Sequence, residues 1–262
     1  MNRMGFVGAG NMGSALIRGL IDFEGISADH VYVCGHHPEA LNAFALEEGF
    51  QVCASVGELI EACDVVLFAV KPKHIEALLS EYRDALRERT VLSVVTGYDF
   101  ARVQTLLAPG TRYLYIMPNT PCEVGAGTFL FEKTHSLPDE EYADVQRRFE
   151  KMGRVLEVPS NLMGVGAAVA GCGPAFVAMM LEALADAAVK HGVPRALAYE
   201  LASQMTLGAA TLQLKTGAHP GQMKDAVCSP GGTTIRGVQA LEKAGMRAAF
   251  MDAVDAVMNA GR

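Results

Sequence analysis

Six residues near the N-terminus constrain this chain more than any others. Gly8-Ala9-Gly10-Asn11-Met12-Gly13 follows the apolar run Gly5-Phe6-Val7 and opens a helical pattern through Ala15, Leu16, Gly19 and Leu20. Between a strand and a helix, G-x-G-x-x-G has a mechanical reading. The first glycine permits a tight turn, the second lets backbone approach a pyrophosphate, and the third lets helix pack closely on strand. The unpaired N–H groups of the helix start then face the anion. All six residues are therefore expected to bind a dinucleotide. A glycine turn of another α/β domain would share the spacing, so the rest of the chain has to agree.

It does, over the first 159 residues. Strand-like runs recur at residues 31–33, 65–70, 91–95 and 113–117, and helical patterns at 38–48, 72–85 and 100–107 fall between them. Strands alternating with helices predict βαβ units and a mostly parallel sheet. Runs at 127–131 and 154–158 extend that sheet around a helix over 139–152. After Pro159-Ser160 the composition shifts: 23 alanines occur in the last 102 residues against 15 in the first 160. Strand signals stop, and helices are predicted over 175–191, 195–215, 233–244 and 246–260. The expected architecture is α/β, with a dinucleotide-binding domain at 1–159 and an all-helical substrate and dimerisation domain at 160–262. Slender alanine-rich helices leave apolar surface uncovered unless another subunit packs on it, so a homo-oligomer is expected through that half.

Charge and composition narrow the partners. Hydrophobic residues make up 50% and charged residues 19% of the chain, which excludes intrinsic disorder. The net charge of −7 gives no general attraction to nucleic acid or an anionic membrane. Six cysteines stand at 34, 53, 63, 122, 172 and 228 with no C-x-x-C pair and no histidine at zinc-ligand spacing. They predict reduced thiols in a cytoplasmic protein and no metal. Residues 163–181 carry no charge and are long enough to nominate a membrane span. Gly171-Cys172-Gly173-Pro174 inside them argues instead for a broken helix buried in protein.

Five further segments carry chemistry. Dehydrogenases that use NAD place an acid at the end of the second strand, about 20 residues after the last glycine, to hold the ribose hydroxyls. Here Cys34-Gly35-His36-His37-Pro38 has none. A 2′-phosphate would meet no repulsion, and His36 and His37 offer donors to it. NADPH is the expected cofactor, with NADH as an alternative. Ala69-Val70-Lys71-Pro72 and Met117-Pro118-Asn119-Thr120-Pro121 each close a strand, where open α/β sheets bind ligands. Ala69, Val70, Lys71 and Pro72 are accordingly expected at the cofactor, and Asn119 at its nicotinamide amide. Finally, Cys228-Ser229-Pro230-Gly231-Gly232-Thr233-Thr234 precedes a helix and offers several unpaired N–H groups to a carboxylate. An ordinary loop with a threonine cap would look similar. Gly171-Cys172-Gly173-Pro174 supplies another wall.

With these segments together, the sequence closely resembles pyrroline-5-carboxylate reductase over its whole length. The Ser229-Pro230-Gly231-Gly232-Thr233-Thr234-Ile235 run is the most specific part of the likeness. The resemblance implies reduction of 1-pyrroline-5-carboxylate, a cyclic imine carboxylate, to L-proline with NAD(P)H. It implies a Rossmann domain followed by a helical domain that forms a dimer, often within a decamer. Gly231, Gly232 and Thr233 are then assigned to the substrate carboxylate, Cys172 to the substrate pocket, and Thr234 to the ring nitrogen as the catalytic contact. Two residues depart from the family: Cys172 stands where serine is usual, and Gly35-His36 where an arginine often follows Asn or Ser. A β-hydroxyacid dehydrogenase shares the two-domain plan but carries a helix lysine that this chain lacks after Pro174. A non-catalytic NADP-binding sensor would have no use for the Ser229 to Thr234 loop.

Overall fold

The computed structural model describes residues 3–260. By compactness the chain divides into two units, Met1–Pro174 and Ala175–Arg262. The first contains β1 (Met4–Val7), α1 (Asn11–Gly19), β2 (Val31–Cys34), α2 (Pro38–Glu48), β3 (Gln51–Val52), α3 (Val56–Ala62), β4 (Val65–Phe68) and α4 (Pro72–Glu81). It continues through β5 (Thr90–Ser93), α5 (Phe100–Val103), β6 (Arg112–Met117), β7 (Gly127–Glu132), α6 (Asp139–Glu150), β8 (Gly153–Val158) and the single-turn α7 (Met163–Gly166).

The eight strands form one sheet in the order β3-β2-β1-β4-β5-β6-β7-β8. All neighbours are parallel except β6 and β7. The chain starts in the middle, winds outward through β2 and β3, and returns to β4 on the other side of β1. The carboxyl ends of β1 and β4 therefore flank the point where strand order reverses, and a crevice opens there. β1 and β4 are buried at every position, as strands covered on both faces must be. Two apolar clusters line the faces, one around Phe6, Leu16, Leu67 and Phe129, the other around Val66, Phe68, Ile75 and Tyr113.

Three elements lie outside the sequence-based expectation: β3, α3 and a short helix at Pro220–Ala226. β3 is two exposed residues with no alternation to read. α3 begins at Ser55, whose hydroxyl accepts from Glu58 N (3.1 Å) while the Glu58 carboxylate accepts from Ala54 N (2.8 Å). That S-x-x-E pattern is a capping signal present in the sequence. The run expected over 65–70 ends at Phe68, because Ala69 to Lys71 turn out of the sheet toward α4.

The helical segment after β8 also differs from expectation. The compact units divide at 174/175, later than the composition shift at 159/160. Residues 160–174 pack on the sheet: Met163 is buried in the second cluster, and a methyl at Gly166 would meet Leu130 of β7 at 2.6 Å. The helix does not break at Gly171-Cys172-Gly173-Pro174. It widens into a π-turn at Ala167–Gly171, passes Cys172 in right-handed helical conformation, and continues as α8 (Gly173–Lys190). A π-turn re-registers the backbone bonds, so the missing N–H of Pro174 costs no helix break. Nor is the segment buried in its own chain. The Ser160–Lys190 run is long and apolar enough to cross a membrane by length and composition, and only 11% of its most apolar window is buried.

The second unit holds the rest of α8, then α9 (Arg195–Thr216), α10 (Pro220–Ala226), α11 (Thr233–Lys243) and α12 (Met246–Asn259). Its buried apolar side chains, among the described residues, are Ala185, Ala198 and Ala202. Met179, Leu214 and Met251 are each more than 60% exposed. Such a unit has almost no core of its own.

Candidate active site

The glycine turn shows the three roles separately. Gly8 has φ +101°, and a methyl there would meet Ala69 O at 2.7 Å; its N–H donates to Cys34 O (2.8 Å). Only glycine fits so tight a junction of β1, β2 and β4. Gly13 is buried in α1, where a methyl would meet Gly8 O at 2.5 Å, so helix and strand touch backbone to backbone. Around Gly10 nothing lies within 4 Å of where a side chain would start. The space a Cβ would fill is open to the crevice. Gly10 also caps α1 without any side-chain bond, and α1 has no acid in its first turn. The first N–H groups of that helix are therefore available to an anion.

Around this turn the fold gathers most of the expected cofactor residues. Gly8, Ala9, Gly10, Asn11, Met12, His36, His37, Ala69, Val70, Lys71 and Pro72 line one open cleft. Further lining residues, missed in the sequence, are Arg18, Phe44, Glu47, His74, Val94, Val95, Thr96, Thr120 and Glu123. They come from five separate segments, and no local spacing links them.

Arg18 organises the floor. Its guanidinium pairs with Glu48 (2.7 Å), Glu123 (2.8 Å) and Glu47 (3.5 Å) and lies over the Phe44 ring at 4.9 Å. Hydrogen bonds from Glu48 and Glu123 hold its pKa above the ordinary guanidinium value. Three carboxylates on one cation tie α1, α2 and the turn at Thr120–Val124 together.

Asn119 sits elsewhere than at the cleft. It is 6% exposed, its amide oxygen accepts from Thr128 N (2.8 Å), and its amide nitrogen donates to Ala170 O (2.9 Å). Both ends of the side chain are thus committed, joining the end of β6 to the start of β7 and to the π-turn ahead of Cys172. A nicotinamide amide, the partner expected for it, would have to use the remaining amide N–H or oxygen lone pair. Cys172 is half-buried, and its N–H donates to Ala167 O (3.1 Å).

In the second unit, α10 leads into the Val227–Gly232 loop. Gly231 has φ +72° and open space around its Cα, and Gly232 N donates to Ser229 O (3.0 Å). Gly232, not Thr233, caps α11, and the cap has no side-chain bond. Thr233 is thus a first-turn residue, because the Ser229–Gly232 turn already brings the chain into helical register. Thr233 and Thr234 are exposed, and neither hydroxyl is spent on a partner among the described residues. Unpaired N–H groups beside two unspent hydroxyls form a neutral receptor suited to a carboxylate.

Comparison with known proteins covers the whole chain. A family profile described as "Pyrroline-5-carboxylate reductase dimerisation" matches residues 160–262, and one described as "NADP oxidoreductase coenzyme F420-dependent" matches residues 3–97. Pyrroline-5-carboxylate reductase of Treponema pallidum is 39% identical over 260 residues, covering 98% of each chain. That of Escherichia coli is 36% identical over 98% of this chain and 96% of its own. The crystal structure of Plasmodium falciparum pyrroline carboxylate reductase with NADP bound superposes with a TM-score of 0.88. It is 30% identical and covers 98% of this chain and 95% of that one.

Proposed function

The chain belongs to the pyrroline-5-carboxylate reductase family, and from that premise we propose that it reduces 1-pyrroline-5-carboxylate to L-proline with NADPH through the residues described above. The observation that carries the cofactor half is the open space at Gly10, flanked by two glycines that tolerate no side chain. Those residues fit a pyrophosphate, and the acid-free end of β2 fits NADPH better than NADH. When bound, the reduced nicotinamide supplies a hydride.

The chain's own residues do the rest. Gly8 to Gly13 and the start of α1 hold the pyrophosphate, with Ala69, Val70, Lys71 and Pro72 forming the opposite wall. The N–H groups at Gly231 and Thr233 take the substrate carboxylate, and Gly232, whose own N–H is spent on Ser229 O, closes the turn between them. The Thr234 hydroxyl bonds the ring nitrogen, which must be protonated for its carbon to be electrophilic. Threonine is a poor acid near neutral pH, so the proton reaches that nitrogen through water, and Thr234 orients rather than donates it. Cys172 is assigned to the substrate, toward which its thiol is a weaker donor than a serine hydroxyl would be.

Residues 1–159 serve as the cofactor domain and 160–262 as the substrate and dimerisation domain, in a homo-oligomer that is a dimer or a decamer. The bare apolar surface of α8, α9 and α12 supports a second copy as its cover, rather than a bilayer. A cytoplasmic location fits the unpaired thiols. The net charge of −7 favours no nucleic acid partner. The deciding experiment follows NADPH and NADH oxidation with and without 1-pyrroline-5-carboxylate. Imine-dependent oxidation coupled to proline formation is expected, and its absence with both cofactors would overturn the reading.

A further inference from the structure

The cleft has a second histidine wall. His74, in the first turn of α4, is half-buried, and its ring centroid lies 5.9 Å from that of His36, beyond the end of β2. The rings are tilted by 46°, so they do not stack, and neither imidazole has a hydrogen-bond partner among the described residues. Two N–H···O bonds of about 2.8 Å through one shared oxygen span up to about 5.6 Å between nitrogens, and ring nitrogens turned toward each other lie closer than the centroids, so a phosphate between the rings can accept from both.

The surrounding charges favour an anion at that spot. The cleft's carboxylates, Glu47 and Glu123, are both paired with Arg18. The other ionisable groups on its walls are Lys71, His36, His37 and His74, all basic. The position where an acid would hold ribose hydroxyls is taken by Cys34 and Gly35.

We propose that His74 acts with His36 as the receptor for the cofactor's 2′-phosphate, and is a specificity-determining residue for NADPH over NADH. This rests on reading the cleft as a dinucleotide site.

The test is titration calorimetry of NADP⁺ and NAD⁺ against the parent protein, His74→Leu, His36→Leu, the double variant and His74→Arg. His74→Leu is expected to lower the preference for NADP⁺ by about tenfold while the NAD⁺ affinity holds within about twofold. The two leucine substitutions should be less than additive, since either removes half of a shared grip. His74→Arg should restore the preference. An unchanged preference in His74→Leu, or equal weakening of both nucleotides, would overturn the proposal and leave the cofactor site standing. Failure of the parent to bind either nucleotide would overturn the cofactor reading and this inference with it.

Discussion

Replacing Asn119 separates two roles that a residue at the end of a strand can play. In the structure its amide makes two bonds within the chain, to Thr128 N at 2.8 Å and to Ala170 O at 2.9 Å. Asn119→Ala would leave both backbone groups without that partner. A buried polar group stripped of its partner costs about 1–3 kcal/mol. Thr128 and Ala170 are only half-buried, so water reaches them in part, and the sum belongs at about 2–3 kcal/mol. For a chain of this size each kcal/mol lowers the melting temperature by roughly 2–4 °C, so a fall of about 5–10 °C is expected. Asn119→Asp is the sharper probe. It keeps the acceptor for Thr128 but turns an oxygen toward the Ala170 carbonyl, so the link to the π-turn becomes a repulsion. Because that turn leads into Cys172, the KM for the imine should rise in both variants by more than the KM for NADPH. Thermal melts and steady-state kinetics with each substrate varied would measure this. A parental melting temperature together with a raised KM for NADPH alone would refute the reasoning, and would place Asn119 on the nicotinamide after all.

Thr234→Ala removes an exposed hydroxyl that holds nothing in the chain, so the melting temperature should stay within about 1 °C. Its kcat should fall by roughly 10- to 1,000-fold, and Thr234→Ser should retain most of the rate. Gly10→Ala adds a methyl into open space, so the protein should fold normally and lose at least about tenfold in NADPH affinity by fluorescence titration. Gly13→Ala should instead lower the melting temperature, since its methyl meets the Gly8 carbonyl. Glu132 is wholly buried at the end of β7, where one oxygen accepts from Phe100 N (2.8 Å) and burial raises its pKa. A carboxyl with a raised pKa in the fold contributes stability below its unfolded pKa and loses it as pH rises through the folded value. Glu132→Gln should therefore gain in melting temperature over the parent on going from about pH 5 to about pH 8, and parallel curves would contradict the assignment. Light scattering at micromolar concentration should give a mass well above the 27.9 kDa of one chain; a monomer would contradict the proposed role of the helical half.

What the sequence determined by itself lies in short-range physics. Three glycines at fixed spacing between a strand and a helix, short continuous apolar runs alternating with helical patterns, and the alanine shift at 159/160 all state local backbone preferences. The resulting elements match within a few residues. The Ser229 to Thr234 run was legible for the same reason, since a Pro-Gly-Gly turn ahead of a helix exposes N–H groups whatever the rest of the chain does. Tertiary structure decided everything that depends on which distant segments meet. Arg18 gathers carboxylates from positions 47, 48 and 123, Asn119 spends its amide on Thr128 and Ala170, and His74 faces His36 from another helix. The π-turn at Ala167–Gly171 belongs to the same class. Its glycines and proline signal a break, but packing against Leu130 of β7 carries the helix through. Side-chain chemistry states which partners a residue accepts; only the folded sheet, by bringing β1, β4 and the loops beyond them to one edge, determines which partner it gets.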